Sequence, residues 1–457
     1  MASSEAEKIK QDILKRYQQR TKKSWELRQQ AIQVLPGGDT RSVAYYPPYP
    51  FFAAEGKGCH IYDCDGNEYI DCVNNMTSLI HGHAHPHVVK AIQAQAEKGT
   101  AHAAPTELQY KLASMICDRI PSFEALRFCN SGTEATMFAI RAARVHTGKD
   151  IIIKMDGGYH GSHDYVEVNL LPDLTAEDLP SARVEAGVPA SILNDVRIAP
   201  FNDLDAMERI LKANQNRVAA IMVEPVLTQT GGILPKEGYL QGVRQLADKY
   251  GALLVFDEII TLRASVGGMQ KMVGVMPDLT AIGKIIGGGL PVGAFGGRRD
   301  IMDIFDPAKP AAVTHSGTFS GNALTLAAGI ATLEILGQDE IDRINNLGKQ
   351  LRSGLKSALD NAGIKGQAGG FASAAFVSFF EQPYSNAKEA ALAVIPTLDF
   401  AKDVHLELLN QGLYPITRGL VVFVVSTPMD EKKINQIIQR FEATLESVKP
   451  LAAECQG

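Results

Sequence analysis

The stretch that organises this chain is Ala281-Ile-Gly-Lys284-Ile-Ile-Gly-Gly-Gly-Leu-Pro-Val-Gly-Ala294, in which a short apolar run ends at a lysine followed by glycines. A second apolar run, Ala252-Leu-Leu-Val-Phe256, ends in Asp257-Glu258, 27 residues before Lys284. Such runs alternate with helical patterns, which is typical of a mainly parallel sheet covered by helices. Functional groups in these sheets lie at the carboxyl ends of the strands, where Lys284 and Asp257 fall.

The periodic patterns predict an α/β chain. Helices are predicted at 5–35, 86–98, 106–119, 132–147, 203–213, 236–250, 321–362, 387–411 and 430–448. Strands are predicted at 126–129, 151–155, 218–223, 252–256, 278–282, 291–296, 374–380, 413–416 and 420–426, with a small antiparallel sheet around the hairpin signal Asp65-Gly66. We expect a large domain at 76–335, and a small α+β domain built from 1–75 and 336–457; segment 167–196 is predicted to be a surface insertion.

The composition excludes several classes of protein. The chain has 457 residues, 45% of them hydrophobic and 21% charged, as in an ordinary globular protein. A net charge of −6 without a basic stripe argues against nucleic acid as a partner. No apolar run approaches the ~20 residues of a membrane span. The polar start and six cysteines without zinc spacing favour a cytoplasmic protein with reduced thiols.

A turn at the start of a predicted helix suits an anion. Asn130-Ser131-Gly132-Thr133-Glu134-Ala135 follows one predicted strand and opens the helix at 132–147. Free N–H groups at a helix start attract anions, glycine permits close approach and the hydroxyls donate further hydrogen bonds. Taken alone, the turn is better explained as an ordinary helix cap.

The lysine, the acid and this turn together predict a pyridoxal phosphate (PLP) site. PLP requires an amine that forms a Schiff base, an acid that keeps the pyridine nitrogen protonated and a cradle for the phosphate. Lys284, Asp257 and Ser131-Gly132-Thr133 meet these needs in turn. A solvated lysine titrates near ~10.4, so Lys284 also needs partial burial to act as a base at neutral pH.

Four further residues are weaker candidates. Tyr159, after Gly157-Gly158, suits a ring laid on the cofactor or an ordinary surface turn, and Glu224 is an acid at a buried strand end. Ile259 points to the same side as Asp257, and Thr318 is a possible phosphate ligand or part of a second helix cap. The histidines at 81, 83, 85 and 87 do not predict a metal site, because proline and glycine interrupt any strand that would align them.

The constellation closely resembles the class III (subgroup II) aminotransferases of PLP fold type I. The matching pieces follow the family's order: Asn130-Ser-Gly-Thr-Glu-Ala135, Gly158-Tyr-His-Gly161, Val223-Glu-Pro225, Asp257-Glu-Ile259, Gly283-Lys284 with Gly287-Gly-Gly-Leu-Pro-Val-Gly-Ala294, and Gly317-Thr-Phe-Ser-Gly-Asn322. The resemblance implies a homodimer with active sites at the interface. It also implies that Tyr159 stacks on the ring and that Thr318 reaches the phosphate of the other subunit.

Within the family, the chain is most similar to β-amino-acid aminotransferases and glutamate-1-semialdehyde aminomutases. Arg41 and Arg418 resemble carboxylate-binding arginines of the former, and a planar guanidinium grips a carboxylate bidentately; the alternative is surface arginines in ion pairs. We expect a ping-pong transfer of an amino group between a β-amino acid (or β-keto acid) and an α-keto/α-amino acid pair. The alternative is intramolecular transfer, as in the aminomutase. Segments 74–80 and 420–426 differ from those expected of the aminomutase.

Overall fold

The computed structural model describes residues 2–456, with side chains described from 5 to 452. Its strands are β1 (Ala53–Lys57), β2 (His60–Asp63), β3 (Glu68–Asp71), β4 (Ala125–Cys129), β5 (Ile151–Met155), β6 (Val196–Ala199), β7 (Val218–Val223), β8 (Leu253–Asp257), β9 (Leu279–Gly283), β10 (Gly293–Gly297), β11 (Gln367–Gly369), β12 (Ala374–Ser378), β13 (Leu413–Tyr414), β14 (Ile416–Thr417) and β15 (Val421–Val424).

Helices of at least ten residues flank these strands, together with several shorter ones. The longer helices are Ala2–Arg20, Lys22–Ala31, Pro86–Ala96, Glu107–Arg119, Gly132–Thr147, Leu204–Ala213, Tyr239–Tyr250, Ala323–Ile335, Gln338–Ala362, Leu398–Asn410 and Glu431–Gln456. The shorter ones are Asn74–Thr77, Gly268–Val273, Arg299–Met302 and Ala387–Val394. Within the described residues, no helix is both long and apolar enough to cross a membrane.

A seven-stranded sheet forms the centre, in the order β4-β10-β9-β8-β7-β5-β6. Strand β10 is antiparallel to both neighbours, and the ladder from β9 to β6 is parallel. Every residue of β5, β7, β8, β9 and β10 is buried. Along β5, Ile151 and Ile153 pack into one apolar cluster and Ile152 into another, because successive side chains point to opposite faces. The predicted α/β fold is therefore confirmed.

Several predicted boundaries are wrong for identifiable reasons. The helix predicted at 5–35 is interrupted at Thr21 and ends at Ala31. The helical stretch at 321–362 is two helices, and the one at 387–411 breaks around Pro396, which interrupts the helical hydrogen bonds. Strand β6 was not predicted, because it is short and begins at the last residue of the segment assigned as an insertion.

The N- and C-terminal segments share a sheet. Strand β13 pairs in parallel with β3, with Leu413 opposite Ile70 and Tyr414 opposite Asp71. The small sheet therefore has the order β1-β2-β3-β13, and a third sheet has the order β11-β12-β15-β14. The assignment of domains stays a prediction. What matters for the site is that this pairing carries residues after 410 towards the segment that follows β3.

Candidate active site

Lys284 follows β9 directly and opens a short 3₁₀ helix with a φ of 50°. Its Nζ donates a hydrogen bond of 2.7 Å to the carbonyl of Met76. Burial lowers the pKa of Lys284 to about 8, an effect that the Asp257 carboxylate opposes and the Arg418 charge reinforces. The lysine is thus held by a backbone carbonyl and is poised to lose a proton slightly above neutral pH.

Asp257 ends β8 and is only 4% exposed. One carboxylate oxygen lies 2.8 Å from Nδ1 of His160, and the other accepts a hydrogen bond of 3.1 Å from the amide of Ile259. The His160 side chain is completely buried, and its Nε2 has no hydrogen-bond partner among the described residues. His160 and the Ile259 amide therefore hold the Asp257 carboxylate in one orientation. An acid needs such an orientation when it must face a ligand nitrogen at a fixed position.

Glu224 follows β7 and contacts the loop that carries Tyr159. Its carboxylate accepts hydrogen bonds from the amide of Tyr159 at 3.1 Å and from the amide and hydroxyl of Thr228. Burial raises the pKa of Glu224. These contacts fix the backbone of Tyr159, whose side chain remains 41% exposed and free to cover a flat ligand.

The predicted phosphate turn is a well-capped helix start. Ser131 Oγ accepts the amide of Glu134 at 3.1 Å, and the Glu134 carboxylate accepts the amide of Asn130 at 2.7 Å. The first amides of the helix, at Gly132 and Thr133, have no acceptor within the helix and remain suited to an anion. Capping and anion binding are thus compatible, because they use different groups of the same turn.

Ile259 lies against this turn. A Cβ added at Gly132 would come within 2.6 Å of Ile259 Cδ1, and one added at Gly283 would meet Ile259 Cγ2 at 3.8 Å. Ile259 therefore lies between the helix start and the residue that precedes Lys284. Position 132 requires glycine on steric grounds, because any side chain there would displace Ile259.

Arg418 approaches the lysine from the C-terminal segment. Arg418 is exposed, and its Nη1 donates to the side-chain oxygen of Gln229. Its charge contributes to the lowered pKa of Lys284, and burial lowers the pKa of Arg418 itself. The structure therefore brings Arg418 to the predicted site.

Arg41 reaches the site through an intermediate. Its Nη1 donates a hydrogen bond of 2.9 Å to Asn75 Oδ1, and Asn75 precedes Met76, the residue that holds Lys284. Arg41, Asn75 and Met76 line one cavity of about 370 Å³. Other residues lining this cavity are Tyr46, Phe51, Asp71, His83 and Tyr414.

Thr318 is exposed on a loop beside the phosphate turn. Ser320 in the same loop accepts a hydrogen bond of 3.4 Å from Asn130 Nδ2 of the same chain. The described contacts therefore place the loop next to the turn without giving Thr318 a partner in the turn itself.

Sequence reasoning missed three contributors to this site. His160 lies within the motif Gly158-Tyr-His-Gly161, and a histidine beside a predicted cofactor acid was the available signal. Arg263 is fully buried, and a lone arginine in the run Ile259-Ile-Thr-Leu-Arg263-Ala was its signal. The turn Asn74–Thr77 lies in segment 74–80, which the sequence marked only as different from the aminomutase. Its left-handed backbone had no signal, because this conformation is unusual for these residue types.

The histidines at 81 and 83 contact other groups of the protein. In the described part of the chain, no group of three or more His, Cys, Asp or Glu side chains is arranged to hold a metal ion. His81 instead contacts Thr427 Oγ1 and the carbonyl of Thr332, and His83 contacts Asp71.

These groups fit PLP. Lys284 with a lowered pKa, the buried Asp257 and a helix start with free amides and no side chain at Gly132 lie along one edge of a mainly parallel sheet. A fold and a site of this kind define a PLP-dependent enzyme of fold type I.

The comparisons identify the family. The family model for class-III aminotransferases matches residues 42–445, and the chain belongs to that family. A glutamate-1-semialdehyde 2,1-aminomutase of Syntrophobacter fumaroxidans is 40% identical over 432 residues, covering 93% of this chain and 98% of its own length.

Two solved structures are also similar. An omega-transaminase from Sphaerobacter thermophilus is 39% identical with a TM-score of 0.89, covering 93% of this chain and 97% of its own. A beta-phenylalanine aminotransferase from Variovorax paradoxus is 30% identical with a TM-score of 0.87, covering 97% and 98%. The predictions of a PLP-dependent enzyme, of fold type I and of the class III family are confirmed.

Proposed function

We propose that this enzyme moves an amino group on small substrates that carry a carboxylate, with PLP attached to Lys284. The observation that carries the proposal is the convergence of Lys284, Asp257 and the Ser131–Thr133 turn at the ends of β9, β8 and β4. Bound PLP supplies an electron sink that weakens the bond to the proton on the carbon bearing nitrogen. The protein's own residues then decide which substrate is held and where the proton goes.

The cofactor-binding roles follow from the geometry. The amides of Gly132 and Thr133 and the hydroxyls of Ser131 and Thr133 would bind the phosphate. Asp257, fixed by His160, would pair with the pyridine nitrogen and keep it protonated.

The remaining contacts would hold the ring from its faces. Tyr159 would cover one face, and Ile259 would pack against the ring from the side of the helix start. Glu224 would act through Tyr159, as a positioning residue, because its described hydrogen bonds go to that loop.

Lys284 would act as the base that carries the proton. A pKa of about 8 places its amine close to its titration range at neutral pH, where a general base is most effective. The Met76 carbonyl would hold the protonated Nζ between transfers.

The arginines would bind the substrate carboxylate. Arg418 is near enough to alter the pKa of Lys284, so a carboxylate on its guanidinium would bring the adjacent carbon close to the lysine. Arg41, in the cavity beside Met76, would bind a second carboxylate or the other substrate of the pair.

The comparisons back the aminomutase alternative better than the β-amino-acid reading. The similar curated proteins are named glutamate-1-semialdehyde 2,1-aminomutase, at 38–42% identity. Two observations support intermolecular transfer: Arg41 and Arg418 donate to different residues, Asn75 and Gln229, and an omega-transaminase is about as similar as the aminomutases. Because the names of the similar curated proteins agree on the aminomutase, our first candidate is intramolecular transfer. Our second candidate is transfer between a β-amino acid and a keto acid.

One assay separates the two candidates. The purified enzyme is given glutamate-1-semialdehyde without a keto acid, and in parallel a β-amino acid such as β-phenylalanine with and without 2-oxoglutarate. Sustained turnover of the semialdehyde alone supports the aminomutase, whereas turnover of the β-amino acid only with 2-oxoglutarate supports the aminotransferase. Failure of every carboxylate-bearing amine in a wider panel would contradict the proposal itself.

The attachment site is tested independently. Borohydride reduction followed by peptide mapping should place the cofactor on Lys284, and a label on another lysine would contradict the assignment. We further propose a homodimer, because Tyr110 and Phe319 are 75% and 61% exposed on the side of the chain that carries Thr318. The cytoplasmic location stays a prediction.

A further inference from the structure

The segment that receives the Lys284 amine is a turn with left-handed backbone. Asn74, Asn75, Met76 and Thr77 have φ values of 50°, 47°, 53° and 73° in succession. None is glycine, and a positive φ at a β-branched residue such as Thr77 is a genuine outlier. Such a conformation persists only where its surroundings enforce it, and strain of this kind concentrates at functional sites.

The start of the turn is fixed by the carboxylate of Asp71 and by the backbone carbonyl of Val424. Asp71 Oδ1 accepts the amides of Val73 and Asn74, at 2.7 and 2.9 Å. The Asn74 side chain donates to the carbonyl of Val424 at 2.8 Å. These contacts do not involve the carbonyls of Met76 and Thr77 at the other end of the turn. Those carbonyls are held by other residues.

Two cations hold that other end. Lys284 Nζ binds the Met76 carbonyl at 2.7 Å, and Arg263 Nη1 lies 3.4 Å from the carbonyl of Thr77, the next residue. Arg263 Nη2 also donates to the Val425 carbonyl at 2.6 Å, and its Nε donates to Ser373 Oγ at 2.9 Å.

Arg263 is an unusual buried charge. Its side chain is fully buried, and its described partners are two carbonyls and a hydroxyl instead of a carboxylate. Burial lowers the pKa of Arg263 to about 10. A buried cation without a counterion is costly, so a neutral side chain would serve packing better. What the guanidinium supplies here is a set of donors in a fixed geometry, directed at Thr77, Val425 and Ser373.

We propose that Arg263 is a positioning residue that fixes the left-handed turn Asn74–Thr77, so that the Met76 carbonyl lies where it receives the amine of Lys284. The inference rests on the proposed role of Lys284 and extends it. When the amine is free, the turn holds it beside the reacting carbon, so that a proton taken up at Nζ stays within the site. Because Asn75 also accepts from Arg41, the same turn joins the lysine to a candidate substrate arginine.

A test must separate two opposite effects on the pKa of Lys284, one from the charge of Arg263 and one from the hydrogen bond to Met76. The charged groups that act on Lys284 are Asp257, Arg418, Glu224 and Arg263. Loss of the Arg263 charge would raise the pKa of Lys284, whereas loss of the Met76 hydrogen bond to the ammonium would lower it. The variant Arg263→Lys keeps the charge and loses the planar fork, so it isolates the positioning effect.

The experiment uses full-length protein from which the cofactor has been removed. Trace acetylation with acetic anhydride between pH 6 and pH 10, followed by peptide mass spectrometry, gives the titration midpoint of Lys284. Hydrogen exchange gives the protection of amides 74–80. For Arg263→Lys we expect the midpoint to fall by about one pH unit and these amides to exchange at least about tenfold faster. The matched control is Arg197→Lys, an arginine that donates to the carbonyls of Leu193 and Val196, and it should change neither.

The outcomes are decisive in both directions. An unchanged Lys284 midpoint in Arg263→Lys overturns the inference, even if exchange in the turn is faster, since that pattern describes a merely structural arginine. A fall in the midpoint with an unchanged Arg197→Lys control supports it. If borohydride maps the cofactor to another lysine, the proposed function fails, whereas this titration still reports whether Arg263 controls Lys284.

Discussion

Asp257 and Glu258 show how two adjacent buried acids acquire different tasks. Glu258 is completely buried and accepts hydrogen bonds from the amides of Met269 and Gln270, at 2.6 and 2.9 Å, so its carboxylate is fully engaged in structure. Asp257 faces the site, with His160 behind it. Side chains alternate across a strand, so neighbours in sequence point to opposite sides of the sheet. An acid at a strand end therefore gains its role from the side on which it lies.

This difference predicts opposite phenotypes for two conservative substitutions. Asp257→Asn should lower kcat at least about a hundredfold, because an amide does not hold a proton on the pyridine nitrogen, and unfolding should change little. Glu258→Gln should reduce the free energy of unfolding by about 1–3 kcal/mol, because its new NH₂ group faces donors, and kcat should be nearly unchanged. Steady-state kinetics and urea unfolding of both variants check this. Equal losses of activity in the two would contradict the assignment of Asp257.

The burial of Lys284 predicts a pH-dependent stability in cofactor-free protein. Its pKa is about 8 in the folded chain and near its ordinary 10.5 in the unfolded chain. The folded state is therefore penalised for the charge below pH 8, and the penalty disappears as pH rises from 8 to 10.5. The stabilisation by Lys284→Met should thus be larger at pH 7 than at pH 10.5, by roughly 2–3 kcal/mol. Urea unfolding at several pH values measures it, with the exposed Lys98→Met as control, and a pH-independent difference would refute the shift.

Among the helices and strands, those that a local sequence pattern specifies were predicted most accurately. The helix Gly132–Thr147 was predicted to the residue, because Ser131, Gly132 and Glu134 form a start signal that acts within a few residues. Strands β5 and β7 were also predicted to the residue, because they are unbroken apolar runs.

The elements that were missed depend on distant partners. The turn Asn74–Thr77 is enforced by Asp71, Val424 and Arg263, none of which could be identified as neighbours from spacing alone. The antiparallel direction of β10 likewise depends on its insertion between β4 and β9. Chemistry-bearing side chains were therefore predictable from short motifs, and the groups that position them were not.

The capped helix starts allow a matched pair of substitutions. Ser131 caps Gly132–Thr147 through the amide of Glu134, and Asn386 caps Ala387–Val394 through the amide of Glu389 at 2.9 Å. Each alanine substitution should reduce the free energy of unfolding by about 1 kcal/mol. Only Ser131→Ala should also weaken PLP binding, by about tenfold, because its hydroxyl lies at the phosphate turn. Cofactor titration of both variants checks this, and equal PLP affinities would exclude Ser131 from the phosphate site.

At the scale of the whole molecule, the site draws on segments far apart in sequence. Arg418 follows β14, which comes directly after β13 in the chain, and Met76 follows β3. The parallel pairing of β3 with β13 brings these regions together. Lys284 contacts the second region directly and feels the charge of the first. The proposed substrate arginine, Arg418, therefore follows a strand of a different sheet from the strands that precede Lys284 and Asp257. If these residues have the proposed roles, small displacements between the two sheets would change specificity without altering the cofactor site.

The proposed dimer gives the last prediction, which tests whether Thr318 acts on its own chain or across the interface. Thr318→Glu should impair phosphate binding through charge repulsion, and Lys284→Ala removes the covalent attachment point. If Thr318 acts across the interface, a mixed dimer of the two variants has one site with both defects and one intact site. Random reassociation of equal amounts should then restore about a quarter of the wild-type activity.

The control mixture, Lys284→Ala with Tyr159→Ala, should remain at the level of its parents, because both residues serve the site of their own chain. No recovery in the first mixture, with dimers shown by light scattering, would place Thr318 at the phosphate turn of its own chain, where Ser320 already contacts Asn130.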